Sequence, residues 1–393
     1  MKEKVQISGT FRIVCIALAL TGIVSFIIGL KTNPDLAWGS YLTGIYYFTE
    51  LSIGAAFYLA IQYISQSGWS SAFKRIPEAM TTWLPFAAIF FFLLYFGMNN
   101  IYHWSHEEAV SQDALLTHKS SYLNVTFFFI RMALSFALWI FLTAMMRRLS
   151  FRQDTFDPAD EAGILALFHK SEMYARILIF VLALTFSLSV FDWIMSLEPH
   201  WYSSIFAFKD FIAAFYHGTT IIALIVFILY RSGHFPFLNE YHLHDFARYI
   251  FILSIIWGYL WFSQFIIIWY GNIPEETQHF FYRWQGGWKI MFWLQIGLNW
   301  GVPFLILLPV QTSRRMDVIL SVIIILIIGQ YIDIFVEVMP AVTGSLSYSL
   351  IEAGIFLGFG GLFALIVSMA LASRPLIPRN HPYLIESLEH HFE

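Results

Sequence analysis

The chain has 393 residues, 58% of them apolar or aromatic and 12% charged, with a mean hydropathy of +0.66. A water-soluble domain of this size has no interior large enough for so much apolar surface, and a formal net charge of −4 gives no reason to expect nucleic acid as a partner. One cysteine, Cys15, excludes a disulfide framework and any cysteine-ligated zinc or iron–sulfur site within the chain.

A helix that spans a bilayer needs about 20 mostly apolar residues. Runs of that length, bounded by charges, Pro or Gly, fall at 13–30, 38–65, 82–103, 121–145, 175–197, 204–230, 247–271, 286–309, 316–338 and 349–372. The expected fold is therefore all-α and polytopic, a single transmembrane domain of about ten helices. The first run is too long for a signal peptide and is followed by no small-residue cleavage site, so it reads as a retained span. The 41 Phe, 20 Tyr and 14 Trp suit a lipid-facing surface with aromatic belts at the headgroups. The longest connections are expected at 104–120 and 146–173. Arg-Arg pairs after the fourth and eighth spans (Arg147, Arg148 and Arg314, Arg315) fit either a duplicated four-helix unit or ordinary anchoring charges.

Lys and Arg disfavour translocation, so their distribution sets the expected orientation. Lys2, Lys4 and Arg12 precede the first span. Lys74, Arg75, Arg147, Arg148, Arg152, Lys170, Arg231, Arg314 and Arg315 occupy the even-numbered connections, and Arg374 and Arg379 follow the last span. The odd-numbered connections hold only Lys31, Lys119 and Arg283. Both termini are expected on the cytoplasmic side of the membrane.

Ionisable side chains inside a bilayer are costly unless paired or hydrated, which makes each one a functional candidate. Those within or near the spans are Glu50, Arg131, Asp192, Lys209, Asp210, His217, Lys289, Asp333, Glu337 and Glu352. The expected orientation places most of them in the outer halves, with Glu198 and His200 in the outer loop beyond Asp192. Glu50, Arg131 and His217 are placed near the middle, and the inner halves read as almost pure hydrocarbon. Residues four or seven apart share a helix face, as in Asp333 and Glu337, Asp210 and His217, Asn124 and Arg131, and Gln285 and Lys289. Like charges as close as Asp333 and Glu337 do not both ionise cheaply, so one holds a proton. Glu50, Arg131, Asp192, Lys209, Asp210, His217, Asp333 and Glu337 thus have the spacing of a proton path. They also suit plain charge pairing between helices.

Bis-histidine haem ligation needs facing His residues within the bilayer, and only His217 is well inside a span. His103, His106, Glu107, Glu108 and His118 have the chemistry to bind a metal but form no compact ligand motif, so a solvated acidic loop is the simpler reading and no metal site is assigned.

Three segments resemble one family: Tyr122-Leu123-Asn124 with Phe127, Phe128 and Arg131; the corner Phe191 to Trp201 (FDWIMSLEPHW); and Phe262-Ser263-Gln264 through Trp269 to Glu276 (WYGNIPEE). They are similar to the F subunit of bacterial alternative complex III, within the polysulfide-reductase-type (NrfD-like) membrane subunits, and the likeness extends over nearly the whole chain. The resemblance implies a membrane subunit of a respiratory quinol:electron-acceptor oxidoreductase that anchors the complex. Its implied partners are an iron–sulfur protein, haem c proteins and a sister subunit of the same type, together with membrane lipids. No cofactor is implied for the chain itself, with quinol or menaquinol the one candidate ligand, and no catalytic residue is assigned. Two alternatives stay open: a subunit that itself binds quinol in an aromatic-lined outer pocket, and an independent secondary transporter with a midplane site.

Overall fold

The computed structural model describes residues 4–346 and 349–391; of the basic residues used for orientation, Lys2 lies outside the described residues. Ten long apolar helices are present, and there is no strand among the described residues. They are α1 (Gly9–Thr32), α2 (Pro34–Ile64), α3 (Ser71–Ile101), α4 (Val125–Gln153), α5 (Glu161–Leu197), α6 (Ser204–Arg231), α7 (Glu240–Gly271), α8 (Trp288–Leu307), α9 (Met316–Thr343) and α10 (Leu350–Ala372).

Their ends are set by local chemistry. Asn33 alone separates α1 from α2; it accepts from Leu36 N at 3.1 Å, and Pro34 follows as a first helical residue that has no N–H to satisfy. Asn124 caps α4 by accepting from Phe127 N at 2.9 Å, and Ser349 with Glu352 forms a capping box on α10. These caps account for the side chains of Asn124 and Glu352, so Asn124 is no relay partner of Arg131. Helices α4 and α5 extend well beyond their apolar runs, to Gln153 and back to Glu161. The connection expected over 146–173 is thereby reduced to 154–160. The apolar-run measure registers hydrocarbon-embedded turns and misses charged turns that continue the helix into the headgroups.

Helices α2–α5 form one four-helix group and α6–α9 a second, while α1 and α10 pair with each other alongside. Helix α2 packs against α6, α9 and α10 as well as α5, which puts it at the centre. Its composition fits that position. In its most apolar stretch 89% of residues are buried at a hydropathy of only 1.2, against 11% buried at 2.7 in α1. Protein surrounds α2, whereas α1 buries only the face it turns to α10 and α2, so α2 can carry Tyr46 and Glu50 at little cost.

The two groups touch backbone to backbone where Gly54 of α2 meets α6. A Cβ on Gly54 would lie 1.7 Å from the Ala214 carbonyl oxygen, and one on Gly218 would lie 2.6 Å from the Gly54 carbonyl carbon. Only residues without side chains fit there.

The C-terminal segment ties together the connections on its own side. Ser387 Oγ donates to Trp69 O at 2.6 Å, Asn380 Nδ2 to Gln153 O at 3.0 Å, and Asn239 Nδ2 to His390 O at 2.7 Å. On the opposite side, Lys119 Nζ donates to Pro199 O at 2.6 Å and Trp288 Nε1 to Gly344 O at 3.0 Å. The terminal side and the opposite side are therefore defined by contacts as well as by helix count.

Gly54→Ala is expected to destabilise the purified protein by about 1–3 kcal/mol through overpacking, whereas Gly271→Ala, with no atom within 4 Å of the added Cβ, should leave the thermal midpoint in detergent unchanged.

Candidate functional site

Ionisable residues of α2, α6 and α9 converge in one buried cluster. Adjacent residues Lys209 and Asp210 stand near the opposite-side start of α6. Asp333 and Glu337 are one turn apart on α9, so both reach the same neighbour. Lys209 Nζ lies 3.2 Å from Asp333 Oδ1 and 3.4 Å from Asp210 Oδ1, and it also contacts Glu337 Oε1. Lys209 is 3% exposed and Glu337, the most open of the four, 8%. Two neutral donors complete the shell: Tyr46 OH to Asp210 Oδ2 at 2.8 Å, and Trp257 Nε1 to Asp333 Oδ2 at 3.1 Å.

Deeper along the same interface, His217 Nδ1 lies 2.9 Å from Glu50 Oε2, both fully buried midway along α6 and α2. Four carboxylates are thus served by a single permanent cation. Desolvated charges must be matched or neutralised, so the set has the chemistry to hold and exchange protons.

The cluster continues toward the opposite side through a short amphipathic helix, Pro274–Trp284, between α7 and α8. Its Arg283 donates to Val336 O and Glu337 O, two turns before the end of α9, both at 2.9 Å, and lies 2.7 Å from Glu198 Oε1. Its His279 lies 2.7 Å from Glu198 Oε2 and stacks on Trp201 with ring centroids 3.8 Å apart. The Arg283 guanidinium and His279 outweigh burial and hold the Glu198 carboxyl down at about 2. Burial and the same guanidinium hold His279 down at about 4. At neutral pH the capping network is therefore an ionised Glu198 between a guanidinium and an uncharged imidazole. A cavity of about 20 Å³ bordered by Lys209, Gln264, His279, Arg283, Gln295 and Glu337 joins the cap to the cluster. Aromatic side chains of Phe206, Trp261, Phe280 and Phe292 complete its wall, and its size suits one ordered water with the polar groups as partners.

Arg131 and Asp192 are not part of this assembly. They form a two-bond pair, Nε to Oδ2 at 2.7 Å and Nη2 to Oδ1 at 2.9 Å, between α4 and α5. Arg131 also donates to Tyr122 O at 2.9 Å and its guanidinium carbon lies 3.8 Å from the Tyr122 ring centroid. It sits in the second turn of α4, close to the opposite surface, and not at the midplane position expected from the apolar run. The cause is that α4 begins at Val125, so the run's first residues lie outside the helix. Gln285 likewise lies outside α8, which begins at Trp288, so it shares no helix face with Lys289. Lys289 is exposed.

The terminal half is less barren than its hydrocarbon content implies. A short 3-10 turn, Ser71–Phe73, folds the head of α3 beneath the bundle and buries Lys74, Arg75 and Glu78. Arg75 Nη1 donates to Glu78 Oε2 at 2.6 Å and to Ser150 Oγ at 2.8 Å, and Nη2 bonds Asp154. Gln62 donates to Tyr249 OH at 3.1 Å and accepts from Ser70 at 2.8 Å. Between this layer and the Glu50–His217 pair stands the Gly54–Gly218 contact, where α2 and α6 meet backbone to backbone.

Sequence reasoning did not single out Tyr46, Trp257, His279 or Gln295, and it used Arg283 only as a loop charge. Tyr46 was within reach, since it precedes Glu50 by four residues on the same face. His279 and Arg283 have the same spacing, within a segment too polar to register as a span. No protein-family model matches the chain, and no curated protein matches it either.

Lys209→Met, which keeps the stem and removes the charge, is expected to cost about 3–5 kcal/mol of stability by leaving the carboxylates unpaired. Adding Asp333→Asn and Glu337→Gln should recover part of that loss in thermal unfolding of the detergent-purified protein.

Proposed function

We propose that this chain is a membrane subunit of a respiratory quinol:electron-acceptor oxidoreductase, in which it anchors the assembly and carries a proton path opening on the side opposite its termini. The observation that carries the path is the Lys209 cluster. It is a buried and mutually bonded set of proton-holding groups that meets Arg283, Glu198 and His279 toward one surface and a glycine contact toward the other. Groups of this kind pass protons through side chains and water. The place in a quinol-oxidising complex rests on the resemblance of the Phe191 to Trp201 and Phe262 to Glu276 segments to the alternative complex III F subunit. The excess of Lys and Arg on the terminal side supports a multi-pass protein of the bacterial inner membrane with both termini cytoplasmic and the path opening outward.

Glu50 and His217 form the innermost station, Asp210, Lys209, Asp333 and Glu337 the exchange centre, and His279 with Glu198 the exit. Arg131 and Asp192 fasten α4 to α5 beside the path.

A second reading, in which the chain binds quinol itself, is favoured by one feature. An open pocket of about 720 Å³ on the same side is walled by Phe265, Ile268, Trp269, Phe280 and Trp284, with Lys289 among its polar groups. Phe280 borders both this pocket and the small cavity next to Lys209. A quinol ring in the pocket would stand one side chain from the cluster.

In the intact complex reconstituted into vesicles, Asp210→Asn is expected to slow quinol oxidation and outward proton release at least tenfold while assembly is retained. Unchanged turnover and proton stoichiometry would leave the cluster with a structural role only. Protection of Lys289 from amine labelling by a quinone analogue would favour the second reading.

A further inference from the structure

On the terminal side, a cavity of about 80 Å³ lies where the ends of α3, α4 and α10 meet, remote from the proton path. Three of its lining residues are arginines: Arg75, Arg147 and Arg374. Arg75 is 4% exposed, and although its two terminal nitrogens are taken by Glu78, Ser150 and Asp154, its Nε is buried with no hydrogen-bond acceptor. Arg147 spends Nη1 on Thr81 Oγ1 at 2.5 Å, and no carboxylate among the described residues pairs with it. Arg374 is exposed, and its contact in the structure is the Phe151 ring, whose centroid lies 4.8 Å from both its own guanidinium carbon and that of Arg75.

Against three guanidiniums stand the carboxylates Glu78 and Asp154, which leaves one net positive charge at a site with unused donors. Glu78 Oε1 is itself buried without a donor. Unused donors beside an unused acceptor match a ligand that has both an anionic group and a hydroxyl. The cavity lies at the helix ends, and the lipid-facing surface of α10 continues from it through the exposed Met369. A ligand seated there can keep its acyl chains in the membrane.

We propose that this cavity binds the headgroup of an anionic phospholipid from the terminal-side leaflet, a phosphodiester with a free hydroxyl such as phosphatidylglycerol. Arg147 and Arg374 hold the phosphate oxygens, the Arg75 Nε–H donates to the same group, and Glu78 Oε1 accepts from the headgroup hydroxyl. Guanidinium suits phosphate because its planar donors bond two oxygens at once. Basic pockets between spans on this side of a membrane recognise such headgroups. The bound lipid joins α3, α4 and α10, three helices whose ends otherwise meet over a gap. The arginine pair that closes α4 then has divided duties, with Arg147 turned to the lipid and Arg148 exposed.

The test uses the detergent-purified protein, in whatever assembly it is isolated, with added phosphatidylglycerol, phosphatidylcholine or inorganic phosphate. Phosphatidylglycerol is expected to raise the thermal midpoint by several degrees, with phosphatidylcholine and inorganic phosphate giving no rise. The rise should be abolished in Arg147→Gln/Arg374→Gln and kept in Arg148→Gln. Native mass spectrometry should show retained phosphatidylglycerol falling at least fivefold in the double variant. If that variant does not fold, Arg374→Gln alone serves, because its exposed side chain makes no hydrogen bond among the described residues. An equal rise with phosphatidylcholine, or in the arginine variants, overturns the site. An equal rise with inorganic phosphate overturns the assignment to a lipid.

Discussion

One ammonium group among three carboxylates inside a membrane protein sets the terms for the rest of the structure. Lys209, Asp210 and Asp333 are each at most 3% exposed, and Glu337 is 8% exposed. Such a set is tolerable only where neighbours supply hydrogen bonds and the surroundings are protein, not lipid. This is why α2 has to be central. It supplies Tyr46 to the cluster and Glu50 beyond it, and its low hydropathy would be unaffordable on the lipid-facing rim. The outer pair, α1 and α10, is free to be almost wholly apolar for the complementary reason.

The same constraint explains the asymmetry between the two sides. Toward the opposite side the cluster is finished by polar groups, with Arg283 bonding the backbone of α9 two turns before its end and engaging Glu198 and His279. Toward the terminal side it ends at a glycine contact. The buried charges beyond that contact, Arg75 with Glu78 and Asp154, pair among themselves, leave Arg75 Nε and Glu78 Oε1 without partners, and make no bond to the Glu50–His217 pair. Two polar systems therefore share the molecule, separated by backbone packing. In the proposed function the first moves protons, and in the further inference the second holds a lipid.

Much of this was legible in the sequence. All ten spans were, because each needs a long apolar run and the charged connections punctuate them clearly. Lys209, Asp210, Asp333, Glu337, Glu50 and His217 stood out because charge inside an apolar run is rare, but the same signal grouped them with Arg131 and Asp192, which pair apart from them. Their partners were harder to see. Tyr46 and Trp257 look like ordinary aromatic residues in a chain with 75 of them, and nothing local says that their polar atoms face a carboxylate. His279 and Arg283 sit in a short helix outside the spans, and their link to Glu198 depends on how two connections meet in space. Depth was misjudged for Arg131 because it was counted from the apolar run and not from the helix start that Asn124 defines. The buried Arg75 layer was invisible because a single 3-10 turn tucks it beneath the bundle.

On this reading the Lys209 cluster is wetted from the opposite side and sealed from the terminal side. An experimental density map fine enough to resolve ordered water tests it most directly. Water is expected in the cavity between Lys209, Gln264 and Arg283, and none between the Glu50–His217 pair and the Gln62–Ser70 layer. A dry cavity, or a continuous file of water past Gly54 and Gly218, would contradict it.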